Sequence, residues 1–252
     1  MSDMPRIAAF DLDGTLTVTK SPMTATMGAR VAALTRVLPV AIFSGAAFHQ
    51  FERQFFPFLG ADARLEQLYI FPTSAAQCYV FENGWHIRYE NDFTPEEKQK
   101  IMRALTDGIE KTHVVDDKTP QWGPRIEDRG SQITFSALGQ EAPPDAKKVW
   151  DQDKKKRTPL WQYLQETIPE FGSAMNAYTS VDITKKGINK AYGIRQLSEI
   201  TGIAIPDMLY VGDALFPGGN DAIVKETGVP TQEVTGPDEA AVVIDELIAR
   251  AS

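Results

Sequence analysis

Three short apolar runs in this chain stop abruptly at polar residues: Ile7–Phe10 at Asp11, Val40–Phe43 at Ser44-Gly45, and Met208–Val211 at Gly212-Asp213. A short continuous apolar run bounded by turn residues reads as a strand buried on both faces, the pattern of a parallel sheet. Leu68–Phe71 and Cys78–Phe81 are two further strand candidates. Val31, Leu34 and Leu38 fall at helical spacing before Pro39, and Asp238–Ile248 forms a last helix after Gly236-Pro237. Strands alternating with helices, with polar residues gathered at strand ends, predict an α/β fold: a doubly wound, mostly parallel, Rossmann-like sheet. Such a sheet binds its ligands at the carboxyl edge.

The middle of the chain follows other rules. Glu82-Asn83-Gly84 signals a turn, and Thr94-Pro95-Glu96-Glu97 is a capping box with proline at the first helical position. Ile101, Leu105 and Ile109 make the buried stripe of that helix. Gln132–Ser136 alternates polar and apolar residues, which predicts a strand solvated on one face. Asp145–Arg157 is dominated by charge and reads as a solvated connection or a helix start, with Lys154-Lys155-Lys156-Arg157 as a solvated face. Thr158-Pro159 opens a second helix carrying Leu160, Leu164 and Ile168, and Tyr178–Ile183 reads as another strand. These residues are enough for a separate α+β module. The predicted division is a core from residues 1–82 and 184–252, with an inserted domain at 83–183.

Composition narrows the function. The 252 residues carry a net charge of −8, against a duplex-binding electrostatic footprint, so no nucleic-acid partner is expected. No apolar run of about eighteen residues occurs, the length a membrane helix needs, so no membrane partner is expected either. The single cysteine, Cys78, has no internal disulfide partner. The first residues lack a basic stretch followed by an apolar one, and the expected location is the cytoplasm. His49, His86 and His113 lack ligand spacing, and Trp85, Trp122, Trp150 and Trp161 read as packing residues.

Chemistry concentrates in Asp11-Leu12-Asp13-Gly14-Thr15. Two carboxylates two residues apart at a strand end repel each other unless a cation lies between them. A hard divalent ion answers that repulsion, and Mg2+ suits oxygen ligands that also hold a substrate phosphate.

The segment Phe10–Thr17 resembles the first motif of the haloacid dehalogenase-like superfamily of phosphoryl-transfer enzymes. Three further motifs follow in order: Ser44, Lys190 within Lys186–Lys190, and Gly212-Asp213 with Gly218-Gly219-Asn220-Asp221. A lone serine or lysine says little; the ordered set, placed at strand ends, is specific. The resemblance implies that Asp11 attacks phosphorus and that Asp13 is the acid and base. It implies that Ser44, Gly45 and Lys190 hold the phosphoryl group. It implies Mg2+ ligation by the Asp11 carboxylate, the Asp13 carbonyl and the Asp213 carboxylate, with Asn220 and Asp221 orienting them. Lys185 and Lys186 compete for the lysine role; Lys190 is preferred because it lies beyond Gly187 on the next helix.

The inserted domain resembles the α/β cap of the IIB subset, and along nearly its whole length the chain is similar to eukaryotic-type phosphomannomutases. Phe81–Gly84, Ile126-Glu127 with Arg129, Ser136 with Gly139, Ser180 with Asp182, and Pro217–Asp221 carry that similarity. It implies that Arg129, Ser180 and Asp182 meet the substrate, and that a homodimer forms through the caps. Two departures bear on the reaction. Trp122 and Gln140 stand where the resemblance implies phosphate-gripping arginines, and only Arg125 is nearby to replace the first. Losing charge-assisted bonds of about 1.5–3 kcal/mol each weakens a bisphosphate grip. The expected activity is therefore a Mg2+-dependent phosphatase acting on a small phosphate ester, a sugar phosphate in particular. A phosphohexomutase is the alternative, and a non-catalytic binding module of the same fold is the second alternative.

Overall fold

The apolar runs become strands in the computed structural model, which describes residues 4–18 and 21–251. In chain order the first elements are β1 (Ile7–Asp11), α1 (Ala25–Thr35), β2 (Val40–Phe43), α2 (Phe48–Gln54), β3 (Leu68–Phe71), β4 (Gln77–Phe81) and β5 (Trp85–Glu90). Next come α3 (Pro95–Thr112), β6 (Ile126–Asp128), β7 (Gln132–Ser136), α4 (Pro144–Trp150), α5 (Thr158–Thr167), β8 (Phe171–Asn176) and β9 (Ser180–Lys185). The last are α6 (Lys190–Thr201), β10 (Met208–Gly212), β11 (Thr231–Glu233) and α7 (Pro237–Ala251). Two compact units result, one from the chain up to Glu90 and from Asn189 onward, the other from Asn91–Ile188.

The first unit is built on a sheet of order β11-β10-β1-β2-β3-β4-β5. Pairing is parallel from β11 to β3 and antiparallel across β3-β4 and β4-β5. Alternate side chains of β1 point to opposite faces. Ala8 and Phe10 join the core beneath α1 and α7, with Val31, Leu34, Val243 and Ile244. Ile7 and Ala9 join the core beneath α6, with Ile194 and Leu197. Both faces are covered, which is why β1 is apolar until Asp11 and β2 is apolar throughout. Against the predicted division, residues 83–90 belong to this unit and not to the inserted one, and residues 184–188 belong to the inserted one and not to this. The Glu82-Asn83-Gly84 turn closes a hairpin, with the Glu82 amide donating to the Gly84 carbonyl at 2.8 Å, and β5 folds back on β4.

The second unit holds an antiparallel sheet of order β6-β7-β9-β8. Ile101 and Leu105 of α3 and Leu160 and Leu164 of α5 pack on Ile133, Phe135, Val181 and Ile183. The Thr94 hydroxyl accepts from the Glu97 amide at 3.2 Å and the Glu97 carboxylate accepts from the Thr94 amide at 2.7 Å. That reciprocal cap starts α3, and losing such a cap costs about 1 kcal/mol.

Two expectations fail here. The polar face of β7 is buried, not solvated: Gln132, Thr134 and Ser136 are all withdrawn from water. Alternation identifies residues that share a face but does not say that the polar face meets solvent. Gln132 Nε2 donates to Thr134 Oγ1 at 2.9 Å, and Ser136 Oγ donates to the Gly139 carbonyl at 3.1 Å. The basic run Lys154–Arg157 keeps Lys155 and Lys156 exposed as expected, but its last residue, Arg157, is fully buried. Its guanidinium donates to Asp151 Oδ2 at 2.8 Å and to the carbonyls of Asn176 and Ser180 at 2.9 Å each. A planar fork of five donors can be satisfied inside a fold in a way that a lysine cannot.

Candidate active site

Register brings the polar strand ends together. Asp11 lies beside Phe43, one residue before Ser44, and Phe10 lies beside Val211, two residues before Asp213. Directly after β1 the chain curls around one carbonyl, with the amides of Leu16 and Thr17 both donating to the Leu12 carbonyl at 3.0 Å. Gly14 sits in that curl at φ +96, and a Cβ there would collide with the Asp213 carboxylate. Glycine is needed twice over, for the backbone angle and for the space. Thr15 Oγ1 then donates to Asp213 Oδ1 at 3.3 Å.

Asp11 is 3% exposed and Lys190 is 4% exposed. Lys190 opens α6, whose N-cap is Asn189; the Asn189 side chain accepts from the Tyr192 amide at 3.0 Å. The Lys190 ammonium donates to Asp11 Oδ1 at 2.5 Å and to Asp221 Oδ1 at 2.6 Å. Asp221 is completely buried and also accepts from the Tyr210 hydroxyl at 2.6 Å and from the Ala214 amide at 3.1 Å. Ser44 Oγ donates to Asp13 Oδ2 at 3.1 Å and accepts from the Ala46 amide at 3.0 Å, with Gly45 in the same turn. Lys185 and Lys186 turn elsewhere, to Glu97 and to the Pro169 carbonyl. Asn220 is exposed, unlike its neighbour Asp221.

Negative charge is in surplus. Asp11, Asp213 and Asp221 each offer a carboxylate oxygen, and the three oxygens lie within 4.8 Å of one another, with one ammonium, that of Lys190, among them in the described residues. Burial pushes the Asp11 carboxyl well above the usual range, Lys190 opposes this, and Asp221 and Asp213 add to it. Burial also raises the Asp213 carboxyl, helped by Asp221. Burial by itself would lower the Lys190 ammonium, but Asp11 and Asp221 outweigh it and hold it above the ordinary lysine value. A set of hard oxygen donors with excess negative charge fits a hard divalent cation.

Thr15, though inside the first motif, and Tyr210, within the third apolar run, are given no site role by the sequence reading. Tyr210 was detectable in principle: a phenol in an otherwise aliphatic buried strand needs a partner for its hydroxyl.

The candidate residues of the second unit lie on and beside its own sheet. Arg129 donates to Glu127 Oε2 at 3.0 and 2.6 Å and reaches Gln140 Oε1 at 3.5 Å. Arg125 donates to the carbonyls of Ala137 at 2.9 Å and Thr119 at 3.0 Å, so it is engaged with backbone. Ser180 and Asp182 are buried on β9. Asp182 Oδ2 accepts from Asn176 Nδ2 at 2.5 Å, while its Oδ1 has no hydrogen-bond partner among the described residues.

A family model described as haloacid dehalogenase-like hydrolase matches residues 8–221. A phosphomannomutase of Dendrobium officinale is 25% identical over 93% of this chain and 91% of its own length. Another, of Encephalitozoon cuniculi, is 24% identical over 98% of this chain and 95% of its own. Among solved structures, an IMP-bound mutant of the Plasmodium falciparum IMP-nucleotidase matches with a TM-score of 0.72 at 14% identity, covering 97% of this chain and 68% of that one. A structure from Eubacterium rectale matches with a TM-score of 0.63 at 15% identity, covering 98% of this chain and all 100% of the other. These two likenesses show the fold. Among the described residues, no helix is long and apolar enough to cross a membrane.

Proposed function

The chain belongs to the haloacid dehalogenase-like hydrolase family and is a phosphoryl-transfer enzyme, and from that premise we propose that it moves phosphate between positions of a hexose, as a phosphomannomutase does. This departs from the phosphatase expected from the sequence, because the named relatives that align through both units are mutases. The observation that carries the chemistry is the Lys190 ammonium held between Asp11 and Asp221.

Asp11 attacks phosphorus through its carboxylate. An O–P bond forms to Asp11 as the P–O bond to the sugar breaks, and Asp13 gives its proton to the leaving oxygen. In the second half a sugar hydroxyl attacks the same phosphorus and surrenders its proton to Asp13, and the Asp11–phosphorus bond breaks to restore the carboxylate. Lys190 and the Ser44 hydroxyl offset charge on the phosphoryl oxygens, which supplies most of the rate in such transfers. Asp11 and Asp213 are the residues to hold Mg2+, with the Asp13 carbonyl implied by resemblance; Asp221, engaged by Lys190, Tyr210 and Ala214, orients the group. Bound there, Mg2+ would supply charge neutralisation for the phosphate beyond what Lys190 provides.

Hydrolysis is the second reading, favoured by a specific observation: Arg129 is paired with Glu127 and Arg125 with backbone carbonyls. Incubation with mannose 1-phosphate, Mg2+ and a trace of glucose 1,6-bisphosphate, followed by phosphorus NMR, separates the two. Mannose 6-phosphate without inorganic phosphate supports the mutase, and inorganic phosphate with free mannose supports the phosphatase. No product on any hexose phosphate overturns both.

A further inference from the structure

Tyr210 stands at the centre of the buried charge cluster without touching the reacting atoms. It is fully buried, and its hydroxyl donates to Asp221 Oδ1 at 2.6 Å. The Lys190 ammonium donates to that same oxygen, also at 2.6 Å. Two donors therefore share one carboxylate oxygen, while the other oxygen of Asp221 takes the Ala214 amide at 3.1 Å. The ring is fixed as well. Tyr210 meets Phe43 edge-on at 5.7 Å between centroids, and Phe43 stacks on Phe71 at 4.5 Å. A phenol held this way has no freedom to point its hydroxyl elsewhere.

We propose that Tyr210 is a positioning residue that acts through Asp221: by occupying Oδ1 it limits how strongly Asp221 draws the Lys190 ammonium, and so keeps that ammonium on Asp11 and on the incoming phosphoryl group. An ammonium between two carboxylates moves toward the one with the greater unshared negative charge. A second charge-assisted hydrogen bond to Asp221 removes part of that pull. Deleting the hydroxyl leaves Lys190 as the sole donor to Oδ1 among the described residues, and the ammonium shifts away from Asp11. The inference rests on phosphoryl transfer at Asp11 and holds for mutase and phosphatase alike.

The test is Tyr210→Phe, which keeps the ring and its packing. With p-nitrophenyl phosphate and Mg2+, kcat is expected to fall about tenfold with KM changed by less than about twofold, equal to about 1.4 kcal/mol in the barrier. In an Asp221→Asn background the charge that pulls Lys190 is gone, and adding Tyr210→Phe should then change kcat by less than about twofold. An equal tenfold loss in both backgrounds overturns the inference, because a packing role would persist. A crystal structure of Tyr210→Phe gives an answer that needs no turnover: Lys190 Nζ should lie farther from Asp11 Oδ1 than the present 2.5 Å, and an unchanged distance overturns the inference. If the wild type does not turn over p-nitrophenyl phosphate, the same comparison is read from mannose 1-phosphate conversion, and absence of turnover on both substrates would instead count against the functional reading itself.

Discussion

Lys190 reaches Asp11 because α6 lies unusually close to the sheet, and Gly193 is the residue that permits it. It is one turn beyond Lys190 and on the same face of the helix. A Cβ there would sit 2.5 Å from Phe43 Cε1 and 2.6 Å from Ala75 Cβ, whereas ordinary contact begins at 3.4 Å, so the helix and Phe43 must part by about 0.9 Å. Phe43 cannot yield, being fully buried and stacked on Phe71. Overpacking of this kind costs about 1–3 kcal/mol. Replacing a helical glycine by alanine returns about 0.5–1 kcal/mol. The net destabilisation of Gly193→Ala is thus about 1 kcal/mol, a fall in Tm of about 2–4 °C for a domain of this size. Activity should suffer more. A displacement near 1 Å in a charge-stabilising group costs up to about a hundredfold, so kcat is expected to drop between about ten- and a hundredfold. Melting curves and p-nitrophenyl phosphate turnover on the same preparation measure both. A higher Tm with unchanged kcat would refute the close approach and its role in placing Lys190.

Three other outcomes are expected. Asp11→Asn should abolish phosphate transfer yet raise the Tm of metal-free protein, because it replaces a carboxyl that burial holds well above its ordinary range; a lower Tm counts against the surplus-charge argument. The raised carboxyls of Asp11 and Asp213 favour the protonated form in the fold, so their contribution to stability is complete below the ordinary aspartate value of 3.8 and lost as pH climbs through the folded values. With chelator, Tm should therefore fall as pH rises above that point, and added Mg2+ should offset the fall by binding only the folded state, as a pH series of melting curves with and without the ion would show. Arg157→Met leaves Asp151 buried beside an apolar side chain and should cost about 3–5 kcal/mol in urea unfolding, part of it recovered in the Asp151→Asn, Arg157→Met double variant.

Much of the first unit was legible from the chain alone, because a strand covered on both faces must be apolar to its last residue and the polar residue after it marks the sheet edge. The runs Ile7–Phe10, Val40–Phe43 and Met208–Val211 follow that pattern, and their ends gather Asp11, Ser44 and Asp213 in one region of the fold. The capping box at Thr94 was legible for a similar reason, since its partners are three residues apart. Long-range satisfaction of buried polar groups was not legible. Arg157 looked like the end of a solvated basic run; besides Asp151, six residues earlier, its partners are the carbonyls of Asn176 and Ser180, brought to it only by the turn between β8 and β9. Nothing local in Gln132–Ser136 says that its polar face is withdrawn from water. Tyr210 and Thr15 entered the site the same way, through partners 11 and 198 residues distant. Local pattern therefore determined which segments are strands and where their chemistry lies. Only the closed fold decided which charges share a proton donor, since that depends on side-chain distances of a few ångströms between residues the chain places far apart.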